Sequence, residues 1–321
     1  MSHLNGSFLI FVVFTALTTV TGIFVNSGHR AYRGQFKYQV ALTNAQSERV
    51  LCGGGIIAPS FIITAAHCVC DRKNRIRSGK LFVVVGATDF ADLHEQRIQV
   101  QVTKIYLPKK YTNVNPHPGQ EFLPKADIAV LKLKNALDLE PKIFQLAEAL
   151  SFGSTSSDWV NAMATIAGYG LYDIDWENIK VDAASNEILQ YGSTSYNSLR
   201  WIKTRVLSND ICREKYNVPV KPEQVCAIAL SDLEDVDAHC TRGICHGDSG
   251  SPLVVEERIA VGVACTGSKL YNKNINLGVY TRISSYADFI RKAMDNEKSV
   301  DIREATWMTG NMFRDEGFEE A

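Results

Sequence analysis

Ser249 lies in Gly247-Asp248-Ser249-Gly250, directly before the apolar run "SPLVV". A serine on a tight, glycine-flanked turn has the setting of a nucleophile, but a neutral hydroxyl attacks an amide only when a base takes its proton. His67, in "TAAHC" after the apolar stretch "FIIT", is the candidate base. Asp127, at the head of "DIAVLKL", is the candidate acid that would hold the imidazole in one tautomer and stabilise it once charged. The glycines around Ser249 let two backbone N–H groups, those of Gly247 and Ser249, point at a developing oxyanion. Singly these signals are weak: a histidine after a strand is more often structural, an aspartate at a strand head is a cap, and Gly-Asp-Ser-Gly is a turn. Taken together, they are the parts of an acyl transfer to water.

Such groups need a rigid frame. Ten segments read as short strands: "YQVAL", "GGIIAP", "FIITAA", "KLFVVVGA", "IQVQVTKIYL", "IAVLKL", "MATIAGYG", "SPLVVEE", "IAVGVAC" and "GVYTRI". Turn residues separate them at fairly regular intervals, the pattern of all-β barrels or sandwiches. One helix is expected late in the chain. Ser285 and Asp288 resemble a capping box, and Tyr286, Phe289, Ile290 and Ala293 form an apolar face.

The composition is that of an ordinary globular chain, and a net charge of −1 leaves no footprint for nucleic acid. The start reads as a secretory signal over residues 1–22. Its apolar core "FLIFVVFTAL" is too short to span a bilayer, and a cut after Gly22 leaves Val20 and Gly22 at the positions a signal peptidase inspects. Secretion to the extracellular space is the expectation, with no membrane attachment after cleavage. In that compartment the eight cysteines are expected to form disulfides. Cys240, Cys245 and His246 lie close together, but their spacing matches no zinc module, so no metal is expected. Residues 23–292 read as the working domain. Residues 171–199 form an acidic insertion, and residues 293–321, with eight acidic against three basic residues, form a tail expected to be solvated and disordered.

In the order His67, Asp127, Ser249, and with these flanks, the chain resembles the chymotrypsin-like (trypsin-fold) serine endopeptidases over roughly residues 34–294, in a style closest to arthropod members. "CGGGIIAPSFIITAAHC", "GYG" at 168–170 and "GVYTRI" extend the match. The resemblance implies two six-stranded antiparallel barrels, about residues 23–145 and 146–292, with a C-terminal helix. It implies peptide-bond hydrolysis through an acyl-enzyme on protein or peptide substrates, without a cofactor, and protein protease inhibitors as further partners. It pairs Cys52 with Cys68 and Cys212 with Cys226. Cys70, Cys240, Cys245 and Cys265 are left with three pairings open, because the usual partner of a cysteine at the place of Cys245 is missing from "GSKLYNKNINLGVY".

The resemblance also puts Gly243 at the base of the specificity pocket, where relatives that cleave after Lys or Arg carry an aspartate. With glycine there a cationic side chain finds no counter-charge. Ile244 shortens and dries the pocket, Gly267 and Gly278 leave its walls open, and His246 stands at its rim. Cleavage after apolar residues, elastase-like or chymotrypsin-like, is the expectation.

Three features depart from the family. Active relatives insert a freed N-terminal isoleucine beside the acid before the nucleophile, here Asp248. Ile23 is the candidate, but Phe24-Val25 follow it and no basic residue precedes it. Cys265 stands where relatives carry a serine bonded to the triad acid, and Thr266 replaces an aromatic. These departures keep a rival open, a catalytically silent homologue kept for binding or regulation. A redox or zinc protein built on Cys240, Cys245 and Cys265 is the remote third reading.

Overall fold

Runs of valine and isoleucine broken by single polar residues make strands because branched side chains pack well on a pleated, half-buried surface. The computed structural model describes residues 28–44, 47–71, 73–114, 123–140, 148–152, 159–170, 180–181, 188–190, 198–230, 244, 247–267, 277–308 and 312–316. After a short strand β1 (His29–Arg30) come β2 (Gln39–Asn44), β3 (Ser47–Ala58), β4 (Phe61–Thr64), β5 (Leu81–Val85), β6 (Ile98–Pro108) and β7 (Ala129–Leu133). They close on themselves as an antiparallel barrel in the order β2-β3-β4-β7-β6-β5, with β5 returning to β2. The second barrel begins with β8 (Met163–Gly168). A small ladder follows, β9 (Lys180–Val181) with β10 (Ile188–Gln190). Then come β11 (Arg200–Leu207), β12 (Gln224–Ala229), β13 (Pro252–Val255), β14 (Ile259–Gly267) and β15 (Leu277–Arg282). It closes in the order β8-β11-β12-β15-β14-β13, with β13 returning to β8, and β1 adds to β11 from outside. Two closed six-stranded barrels leave few sheet edges exposed.

All ten segments read as strands in the sequence are strands or strand ends. Two strands of the second barrel, β11 and β12, escaped that reading, although β11 buries Ile202, Thr204 and Val206 in strict alternation. So did a helix, α1 (Asn209–Glu214), capped by the Ser208 hydroxyl, which accepts from the Ile211 N–H at 3.2 Å.

The late helix differs in its start. A 3-10 turn over Ile283–Tyr286 precedes α2 (Ala287–Met294), so Ser285 lies inside that turn and caps nothing. Asp288 pairs instead with Arg291 and with Lys292 (2.9 Å). The expected apolar face is present: Tyr286, Ile290 and Ala293 are buried on the first barrel's core, with Phe289 packed against it.

The C-terminal residues correct the expectation of a disordered acidic tail. β16 (Ile302–Met308) and β17 (Met312–Glu316) form a hairpin, and β16 pairs with β6 from Ile302↔Pro108 to Thr306↔Lys104. The reason lies in β6. It is eleven residues long, but β5 covers that edge only over residues 98–101. β16 takes up hydrogen-bonding groups that β5 leaves open. Side chains reinforce the join. Glu304 pairs with Lys104 at 2.9 Å with both largely buried, Tyr106 donates to Asn296 Oδ1 at 2.6 Å, and Ala305 is fully buried. Among the described residues no helix is long and apolar enough to cross a membrane.

Candidate active site

The strand β4 delivers His67. The chain leaves β4 into a 3-10 turn over Ala66–Cys68, and the Cys52–Cys68 disulfide ties that turn to β3. Asp127 follows Ala126, whose φ of 52° turns the chain sharply into β7. The two meet twice. His67 Nδ1 stands 2.7 Å from Asp127 Oδ2, and the His67 N–H donates to Asp127 Oδ1 at 2.9 Å. One carboxylate therefore grips both the ring and the backbone of the histidine, which fixes the side chain's rotation as well as its tautomer.

Asp127 is fully buried, while the His67 side chain keeps 23% of its surface. Burial alone would lower the imidazole pKa, but the charge and hydrogen bond of Asp127 overcome that and hold it above the ordinary histidine value. Burial also opposes ionisation of Asp127. The His67 charge, its two N–H donors and a hydrogen bond from the Cys265 thiol together keep that carboxyl below the usual range. Cys265 is a buried thiol whose own pKa is driven well up by burial and by Asp127, so it stays protonated and can donate. Across the barrel interface Thr281 Oγ1 donates to the Asp127 carbonyl at 2.8 Å.

Ser249 comes from the second barrel. Its carbonyl accepts from the Gly53 N–H of β3 at 2.8 Å and lies 3.6 Å from Cys68 Sγ, so the serine turn is docked against the residue next to His67. The approach requires glycine at Gly250, which has φ of 84° and would place a Cβ 2.2 Å from Thr64 Oγ1 and 2.5 Å from the Gly53 carbonyl. A second tie between the barrels, buried beside the site, is Gln39 Nε2 donating to Ser251 Oγ at 3.0 Å. Among the described residues the Ser249 hydroxyl, its N–H and the Gly247 N–H have no hydrogen-bond partner.

Asp248 points away from Ser249 into the second barrel. Its Oδ1 accepts from the Gly170 N–H at 2.7 Å, and a Cβ at Gly168 would fall 2.1 Å from the same oxygen. The "GYG" motif is thus the space the carboxylate occupies. The proposed partner, Ile23, lies outside the described residues.

Gly243 and His246 also lie outside the described residues, as do Cys240 and Cys245. Ile244 is half-buried against the second barrel's core. Gly267 ends β14 and faces Gly278 of β15 across the ladder. A Cβ on Gly278 would meet Tyr280 Oη at 2.8 Å, so this glycine makes room for the fully buried Tyr280 ring. Sequence reasoning missed Tyr280. It also missed Tyr111, whose hydroxyl has no hydrogen-bond partner among the described residues and whose ionisation is opposed first by burial and then by Asp127, Cys70 and Cys265. Cys52, His67 and Cys68 bring three ligand-type atoms within 4.8 Å of one another, but both sulfurs are spent in a disulfide. The second expected bridge, Cys212–Cys226, ties α1 to β12. Cys70 is buried.

Residues 25–290 match the Trypsin family model. The chain is 26% identical to kallikrein-8 of Mus musculus over 282 residues, covering 87% of this chain and 90% of that protein. It is 27% identical to the chymotrypsin of Phaedon cochleariae over 266 residues, covering 83% and 80%. In fold it is similar to neuropsin, a serine protease expressed in the limbic system of mouse brain. The TM-score is 0.62 at 24% identity, covering 84% of this chain and 99% of that one. With a family match over most of its length and both barrels closed, the chain belongs to the trypsin family and is a serine endopeptidase.

Proposed function

We propose that Ser249, His67 and Asp127 carry the hydrolysis, and that the enzyme is secreted and cleaves after apolar residues. The observation that supports the triad is the double contact of Asp127 with His67, at 2.7 and 2.9 Å, on a turn packed against the Ser249 backbone. His67 Nε2 takes the Ser249 proton as Oγ attacks the scissile carbonyl. The negative charge moves to the carbonyl oxygen, which the Gly247 and Ser249 N–H groups receive. Collapse expels the amine, which leaves with the proton that His67 returns, and water repeats the sequence on the acyl-enzyme. Asp127 stays ionised throughout and stabilises the imidazolium.

The α-amino group of Ile23 is proposed to join the Asp248 carboxylate in its glycine-lined space, giving an enzyme that signal cleavage itself activates. Sequencing the N-terminus of the exported protein tests this, and any other start sinks it. Two disulfides in the described residues support an oxidising compartment. The half-buried Ile244 beside the second barrel's core supports an apolar pocket, with Gly243, Gly267, Gly278 and His246 completing it. Protein inhibitors that mimic substrate are proposed as further partners of the same site.

The test is a panel of peptide amides varied at the residue before the scissile bond, with Ser249→Ala as control. Turnover after Ala, Val, Leu or Phe that disappears in the variant supports the proposal. A preference for Arg or Lys would remove the apolar pocket, and turnover surviving in the variant would remove the nucleophile.

A further inference from the structure

The segment between the histidine turn and β5 has no part in the chemistry above. It carries Lys73, Arg75, Arg77 and Lys80 against a single acid among its described residues, Asp71. Asp71 is occupied by its own turn: Oδ1 accepts the N–H groups of Lys73 and Arg75 at 2.9 Å each, and Oδ2 pairs with the Arg75 guanidinium at 2.8 Å. Arg77 and Lys80 have no acidic partner among the described residues.

Arg75, Arg77, Lys80 and the already-paired Asp71 line a cavity of about 630 Å³ whose wall also includes Cys68, Val69 and Leu51. Arg77 is fixed in its wall. Its N–H donates to the Val69 carbonyl at 2.8 Å and its Nε to the Cys70 carbonyl at 2.9 Å. Its charge is near enough to His67 to oppose protonation of the imidazole. The segment is also pinned from outside. Asn74, with φ of 60°, accepts from the Arg303 guanidinium at its carbonyl (2.8 Å) and from the Asn113 N–H at Oδ1 (3.0 Å). The cavity is therefore built before any substrate arrives.

Its position decides what would enter it. In the proposed reaction the acyl half of the substrate lies on the second barrel's side, where Ile244 stands. His67 returns its proton to the leaving amine on the first barrel's side. The Cys52–Cys68 bridge lies against the Ser249 carbonyl, and the cavity begins at Cys68. In that reaction a leaving peptide running from His67 over this bridge would reach the basic wall of the cavity.

We infer that this cavity is a subsite for acidic side chains on the leaving side of the scissile bond, with Arg77 and Lys80 as the recognising charges. The inference rests on the reaction proposed above. Both bases are exposed, so the preference is modest, on the order of three- to tenfold.

The experiment compares two peptides that share Leu before the scissile bond and carry either Ala-Glu-Glu or Ala-Gln-Gln after it. The ratio of their kcat/KM values within one enzyme cancels differences in intrinsic activity. The expected ratio favours Glu at low salt, falls toward one at 1 M salt, and collapses in Arg77→Gln/Lys80→Gln. A ratio of one or below in the unmodified enzyme overturns the inference, as does a ratio that survives in the double variant or is indifferent to salt. Binding of the two peptides to Ser249→Ala, read by fluorescence anisotropy, makes the same comparison without turnover. Absence of turnover would sink the proposed reaction, whereas equal binding of the two peptides would sink the acidic subsite.

Discussion

The Arg303 guanidinium donates to the backbone carbonyl of Asn74 at 2.8 Å, joining the C-terminal strand β16 to the segment that leaves His67. Arg303 is only 7% exposed, on a strand that lies beyond the family match, which ends at residue 290. The added hairpin therefore reaches the neighbourhood of the site. Arg303→Ala is expected to lower stability by about 1–3 kcal/mol, because it leaves the Asn74 carbonyl without that charged donor. Thermal unfolding measures this, and an unchanged midpoint would show that the hairpin does not hold the segment. Arg303→Lys keeps the charge and should recover part of the loss.

In the proposed reaction His67 must be neutral to accept the Ser249 proton. Since its pKa is held above the ordinary 6.5, the acidic limb of kcat/KM is expected to have its midpoint above that value. Asp127→Asn removes the charge that raises it and leaves the burial that lowers it, so the midpoint should move down while the rate falls about 10⁴-fold. The same pair shapes stability. A raised His67 pKa contributes fully below about pH 6.5 and is lost as pH rises through the folded-state value. The lowered Asp127 pKa contributes above its ordinary 3.8 and is lost as pH falls through the folded-state value. A rate profile with its midpoint below 6.5 would contradict the coupling.

Cys265→Ala takes one donor from the buried Asp127 carboxylate and is expected to cost about 1–3 kcal/mol in stability. Cys265→Ser replaces a weak S–H donor with a stronger O–H donor, so it should hold Asp127 ionised more firmly and shift the His67 limb upward. Chemical denaturation and the pH profile of the two variants test this together. If serine behaves like alanine, the thiol packs without donating.

Gly168→Ala would place a Cβ 2.1 Å from Asp248 Oδ1. The carboxylate must then shift, and overpacking of this kind costs typically about 1–3 kcal/mol. Because Asp248 directly precedes Ser249, kcat/KM on any peptide amide should fall with it. A variant that retains both stability and turnover would separate Asp248 from the Ser249 turn.

The strands read in the sequence were legible because branched and apolar runs were bounded by turn residues. β11 carried an equally regular alternation, but its outward positions Lys203 and Arg205 made it look polar. The capping box at Ser285 failed for a different reason: the 3-10 turn over Ile283–Tyr286 moves the helix start past the serine. The hairpin at the C-terminus was hidden by composition. Its inward set at residues 303 and 305 is an arginine and an alanine, a pattern that means burial only when a carbonyl such as that of Asn74 is waiting.

The sequence by itself determined the residue types able to do acyl transfer, their chain order and the bulk of both barrels. It could do so because nucleophile, base and acid are set by side-chain chemistry, and strands by local periodicity. Tertiary structure alone decided that Gly168 and Gly170 leave room for Asp248, that Gly278 makes room for Tyr280, and that an acidic tail completes the edge of β6. Each depends on atoms far apart in the chain meeting within hydrogen-bond or contact distance, and neither composition nor periodicity encodes that distance.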